Sequence, residues 1–137
     1  MAEKDIEPVQ EVGVSFVAFD FETANSSRAS ACSLGMTKVL DGKIVDSMYE
    51  IFRPPEGFDR FEGRNIAIHG IRPEDVKGKK RFIEVWPEFH AFIDELPVVA
   101  HNASFDISVL RAALSALDFL WPEIMACKQQ SMALMLV

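Results

Sequence analysis

Two carboxylates, Asp20 and Glu22, stand two residues apart in the run Phe19-Asp20-Phe21-Glu22-Thr23. In an extended strand that spacing puts both on one face, with Cα atoms about 6.5–7 Å apart. Two like charges beside Phe19 and Phe21 raise each other's pKa and cost stability when nothing binds them. A divalent cation between them removes that cost, so the pair reads either as a metal site or as a solvated edge with two incidental acids. A third acid, Asp106, ends the run His101-Asn102-Ala103-Ser104-Phe105-Asp106. It falls in the first turn of an expected helix, where the dipole favours a carboxylate by about 0.3–1 kcal/mol. A plain helix-start acid is the alternative. If the short strand before it lies beside the first strand, Asp106 becomes a third oxygen ligand.

Those positions require a sheet to hold them. Residues 14–21 are apolar on both alternating faces, the pattern of a central strand covered on both sides. Strands follow at 32–40 and 44–52, joined by Asp41-Gly42, a strong hairpin signal. Pro54-Pro55 stops the third strand, and residues 56–82 read as irregular with a short helix around 65–69. Apolar spacing predicts a helix over 84–96, with Pro87 tolerated in its first turn. A short buried strand at 98–100 leads into a helix over 103–117, with Asn102 or Ser104 as its cap. Ile124 to Ala126 suggests a fifth strand, and residues 129–137 read as a last helix. The order predicts an α/β fold: a mixed sheet, an antiparallel meander then parallel strands, flanked by helices.

The chain has 137 residues, enough for one hydrophobic core, with 49% hydrophobic and 26% charged residues. Residues 1–12 are polar and read as a flexible arm that is no signal peptide, and 13–137 read as the domain. No apolar run reaches the roughly 18–20 residues of a membrane span, so a cytoplasmic protein is expected. A net charge of −7 argues against a protein that holds duplex DNA by phosphate neutralisation alone. It leaves room for an enzyme that gathers carboxylates around cations. Cys32 and Cys127 form no CxxC pair and read as buried small hydrophobes. The run Lys77, Lys79, Lys80, Arg81 reads as a solvated loop before a phosphate contact, and His90 as a surface residue.

The first run, followed about eighty residues later by the second, resembles the DEDD family of 3′–5′ exonucleases. Within that family it is most similar to the group of the proofreading (epsilon) subunit of bacterial DNA polymerase III. Ile68-His69-Gly70-Ile71, Val76 and Phe82-Ile83-Glu84-Val85-Trp86-Pro87 add to the likeness. The resemblance implies a ribonuclease-H-like fold and two divalent ions, Mg²⁺ or Mn²⁺, held by Asp20, Glu22 and Asp106, the catalytic carboxylates. It implies backbone contacts to the terminal nucleotide at Phe21, Thr23 and Ala24, and substrate-side places for His69, His101, Asn102 and Phe105. For Phe105, core packing is the plainer role; for His101, a structural or substrate-orienting one. The implied partners are a single-stranded 3′ end, DNA before RNA, and a DNA polymerase subunit.

The family's third motif, His-x4-Asp or Tyr-x3-Asp, supplies a fourth ligand and the group that handles the attacking water. No His, Tyr or Asp occurs here after Asp118. The expectation is an incomplete domain lacking its last helix, weak or inactive in hydrolysis and prone to self-association through the bared face. A non-catalytic module that binds nucleic acid or a polymerase is the competing reading, as is an RNA 3′ exonuclease.

Overall fold

The computed structural model describes residues 13–115 and 135–136. Strands β1 (Phe16–Thr23), β2 (Ala31–Leu40) and β3 (Lys43–Ile51) form an antiparallel meander. Asp41 and Gly42 turn between β2 and β3 with φ of 51° and 77°. Both values are left-handed, as a type I′ hairpin turn demands. Three helices follow: α1 (Gly63–His69), α2 (Pro73–Val76) and α3 (Phe82–Ile93). Then come β4 (Val98–Ala100), α4 (Ala103–Ser115) and β5 (Met135–Leu136). The sheet order is β3-β2-β1-β4-β5, with β4 parallel to β1 and β5 parallel to β4. This is the expected mixed sheet flanked by helices.

Local chemistry sets the helix ends. Gly70, at φ 75°, closes α1 by donating its N–H to Ile66 O at 2.7 Å, a left-handed cap. At the start of α3 the Glu84 carboxylate accepts the Arg81 N–H at 2.8 Å, and Asp75 does the same for Arg72 at α2. Helix α3 begins two residues before the periodicity suggests, which moves Pro87 out of the first turn and into the helix interior. Pro87 there deletes one backbone hydrogen bond. The helix survives because Phe82, Val85, Trp86, Phe89 and Ile93 are buried against the sheet. An aromatic contact ties it to β1, Phe21 to Phe82 at 6.2 Å between centroids, and within β1 Phe19 meets Phe21 edge-on at 6.0 Å.

Three expectations need correction. Among the described residues, strand β1 is covered by helices on one side only. Val17, Phe19, Phe21 and Thr23 are buried, whereas Phe16 and Ala18 are half-buried and Asp20 is exposed. Among the described residues α3 and α4 pack with the first set, and a cavity of about 700 Å³ opens over the second. Residues 56–82 are less irregular than their composition suggests, since Pro73 starts the short α2. At the other end, Met135–Leu136 is a strand, where the sequence suggests helix. An unbroken apolar run carries no period to separate the two, and pairing with Val99 and Ala100 decides it. The strand expected at 124–126, Cys127, the arm 1–12 and the rest of the last helix lie outside the described residues.

Candidate active site

The carboxyl ends of the parallel strands β1 and β4 lie side by side, where ligands bind in open α/β sheets. Asp20 and Glu22 occupy the end of β1 on one face, as the period of two requires. A bulge between Glu22 and Thr23, opposite the start of β2, breaks the ladder just beyond them. Such bulges re-aim neighbouring side chains.

Asp106 reaches the same place by a different route. In the β1–β4 ladder the Val17 N–H donates to Pro97 O at 2.9 Å. Strand β4 ends at Ala100, so the amides further along β1 need another acceptor. Phe21 finds it in Asp106, whose Oδ1 accepts its N–H at 2.9 Å. Asp106 is 2% exposed. The first turn of α4 thus continues the hydrogen bonding that β4 stops supplying, and it sets a buried carboxylate between the flanks of Asp20 and Glu22.

Burial and neighbouring charges act on all three. Burial raises the pKa of Asp20, opposed by His101. Glu22 is raised by burial and by the charge of Asp20, with His69 opposing and Asp106 adding to the rise. Burial raises Asp106, the Phe21 amide pulls it down, and Asp20 pushes it up again against His101. The carboxylates therefore feel one another. Among the described residues, no three His, Cys, Asp or Glu side chains close to the spacing of a formed metal cage. The donor set still suits a hard cation: carboxylate oxygens, mutually repelling and partly desolvated, with no lysine or arginine among the charges that shift them.

The exit of β1 is clamped from α1. Asn65 Nδ2 donates to Thr23 O at 3.0 Å, with Thr23 Oγ1 and Asn25 O each at 3.3 Å. His69 Nδ1 accepts the Ile71 N–H at 3.0 Å, which leaves the proton on Nε2 for donation to Thr23 O at 2.9 Å. Ala24 is fully buried, its N–H donated to Ser30 O and its carbonyl accepting from Glu62. The backbone groups of Phe21, Thr23 and Ala24 named here are thus engaged inside the protein. His101 and Asn102 are exposed after β4, and His101 lines the cavity together with Asp20, Gly35 and Tyr49. Phe105 is half-buried, and the Arg28 guanidinium lies over its ring at 4.6 Å from the centroid.

Sequence reading misses Asn65, Arg28 and the turn built by Asn25, Ser27 and Ser30. Asn65 and His69 sit four apart on one helix face, and Asn and Ser so spaced favour side-chain-closed turns, so a signal exists for both. His90 is not a surface residue. It is half-buried, its ring 6.0 Å from that of Trp86. Lys77, Lys79 and Lys80 are exposed, as a solvated loop would be. Cys32 is buried and its thiol is pushed up to about 12 by burial and by Glu22, so it is unreactive near neutral pH.

Comparison with known proteins identifies the family. The model of the family described as Exonuclease (RNase_T) matches residues 17–134. DNA polymerase III PolC-type of Thermotoga petrophila is 36% identical over 99 residues, 71% of this chain and 7% of that protein. The PolC-type polymerase of Halalkalibacterium halodurans is 38% identical over 97 residues, covering 69% and 7%. The chain therefore spans about 7% of the length of these curated relatives. Exonuclease X in complex with 5′ overhanging duplex DNA superposes with a TM-score of 0.59 at 33% identity, over 69% of this chain and 52% of that one. E. coli exonuclease I, in a zinc-bound complex with single-stranded DNA, shares the fold with a TM-score of 0.71 at 15% identity, over 90% and 28%. Matched by the family model along most of its length, the chain belongs to the exonuclease family.

Proposed function

We propose that this domain hydrolyses phosphodiester bonds from the 3′ end of a DNA strand, with Asp20, Glu22 and Asp106 holding Mg²⁺ or Mn²⁺. One observation carries the reading: Asp106 is brought from 85 residues away onto the Phe21 amide, beside the two acids of β1. Three partly desolvated carboxylates, with Glu22 and Asp106 raised further by the charge of Asp20, are a charge arrangement that a cation relieves. Two such ions, when bound, would activate water and steady the leaving 3′ oxygen.

The chain's own residues do the positioning. Asp20 is the most exposed of the three and faces the cavity, which suits a ligand shared between ions. Glu22 is held by the clamp that Asn65 and His69 place on the next residue. His101, exposed beside Asp20, orients the strand entering the cavity. DNA is favoured over RNA by the polymerase relatives and the DNA-bound neighbours, and a polymerase subunit is the proposed partner.

A second reading is a binding module without turnover, which differs from the first in needing no group to handle an attacking water. A positioned general base is worth about 10²–10⁴ in rate. The 137-residue chain should therefore digest a 3′-labelled single strand in Mn²⁺ at least about a hundredfold slower than a version extended through a His-x4-Asp motif. Cleavage by the extended version, removed by Asp20→Asn, supports the exonuclease. Binding without cleavage by both versions favours the module, and equal rates for the two overturn the role given to the third motif.

A further inference from the structure

We infer that Arg28 is a substrate-positioning residue, whose guanidinium takes a backbone phosphate of the nucleic-acid strand upstream of the scissile bond. The inference rests on the exonuclease reading of the carboxylates and names a part of the site that they cannot supply. Arg28 lies in the loop that follows β1, five residues after Thr23, and it stacks on Phe105, the residue before Asp106. The contact thus bridges the two segments that bring the acids together.

Its side chain is exposed, and among the described residues no acceptor is hydrogen-bonded to its guanidinium. Two other arginines are spent on the fold: Arg53 Nε donates to Lys79 O, and Arg81 donates to Pro54 O. The platform is rigid. Ser30 Oγ donates to Ser27 O at 2.7 Å, the Ser27 N–H to Asn25 Oδ1 at 2.9 Å, and the Ala29 N–H to Ser27 Oγ at 3.2 Å. An arginine already ordered by its ring and its loop loses little freedom when an anion arrives. Stacking also fixes the plane of the guanidinium, and a planar fork of donors suits two phosphate oxygens at once. Because Arg28 covers that face of Phe105, the ring is not open there to a base. The chain carries a net charge of −7 and three acids at the site, so a polyanionic strand needs such a cation beside them.

The test uses two substrates of the full chain in Mn²⁺: a 3′-labelled single-stranded DNA, and the p-nitrophenyl ester of thymidine 5′-monophosphate, which has no upstream phosphate. Arg28→Met should raise KM for the strand about three- to tenfold with little change in kcat, and leave ester hydrolysis within about twofold. By fluorescence anisotropy the slope of log affinity against log salt should become shallower by about 0.7, one phosphate contact. Arg28→Lys should restore the slope and only part of the affinity. A Met variant equal to wild type in strand affinity and salt slope overturns the inference. Equal losses on strand and ester also overturn it, since they mark a structural role. If wild type cleaves neither substrate but binds the strand, the anisotropy comparison decides alone. If wild type neither cleaves nor binds, the exonuclease reading fails first and takes this one with it.

Discussion

Replacing Asp106 separates what its carboxyl does for the fold from what it does for the site. Its Oδ1 accepts the Phe21 N–H at 2.9 Å, and the residue is 2% exposed. In Asp106→Ala that amide is left without an acceptor where water is excluded, which costs about 1–3 kcal/mol. For a domain of this size each kcal/mol lowers the melting temperature by roughly 3–6 °C. Asp106→Asn keeps an oxygen for the amide and removes a charge that burial and Asp20 make unfavourable. The sign follows from linkage. The folded pKa lies above the ordinary aspartate value of 3.8, so the native state holds the proton more tightly than the unfolded chain. The contribution of this group to stability therefore falls as pH rises from that value through the folded pKa, and stays low above it. At pH 7 in EDTA the Asn variant should be at least as stable as wild type, and the Ala variant less stable than both. Urea unfolding followed by tryptophan fluorescence measures this, and adding Mn²⁺ should stabilise wild type more than either variant. An Asn variant as unstable as the Ala variant, or an Ala variant with an unchanged midpoint, would refute the role assigned to the Phe21–Asp106 bond.

Other substitutions probe the rest of the site. Asp20→Asn should raise or leave unchanged the metal-free melting temperature, because it removes a carboxylate whose charged form burial disfavours, while cutting nuclease turnover at least about a hundredfold. Calorimetry in EDTA and the labelled-strand assay check the two halves. Asn65→Ala removes the donor to Thr23 O and should lower stability by about 1 kcal/mol in urea unfolding. In a Cys127→Ser background, Cys32 should resist a thiol reagent at pH 8 until urea unfolds the protein. Fast labelling of the native chain would contradict its burial and its thiol pushed up to about 12.

Alternation and turn chemistry are local, and so they are legible in the chain itself. The spacing of Asp20 and Glu22 places both on one face of β1, and Asp41-Gly42 turns the hairpin that it signals. The apolar triplet Val98–Ala100 is the parallel neighbour of β1, and Asp106 falls in the first turn of α4. The likeness of the two acidic runs to the exonuclease family is equally a property of the sequence, and the family match agrees with it. Tertiary structure decided what no local period encodes. Whether β1 is covered on one face or two depends on where α3 and α4 pack, and its apolar alternation is compatible with either. Asp106 could have been an ordinary solvated helix-start acid. It is buried because β4 ends early and leaves the Phe21 amide in need of an acceptor. Asn65 and His69 at the end of β1, and Arg28 over Phe105, meet only after the intervening chain has folded. A side chain's period names the face it occupies on its own element. Its partner across the fold is chosen by the simultaneous packing of many weak contacts, and only the assembled molecule holds that information.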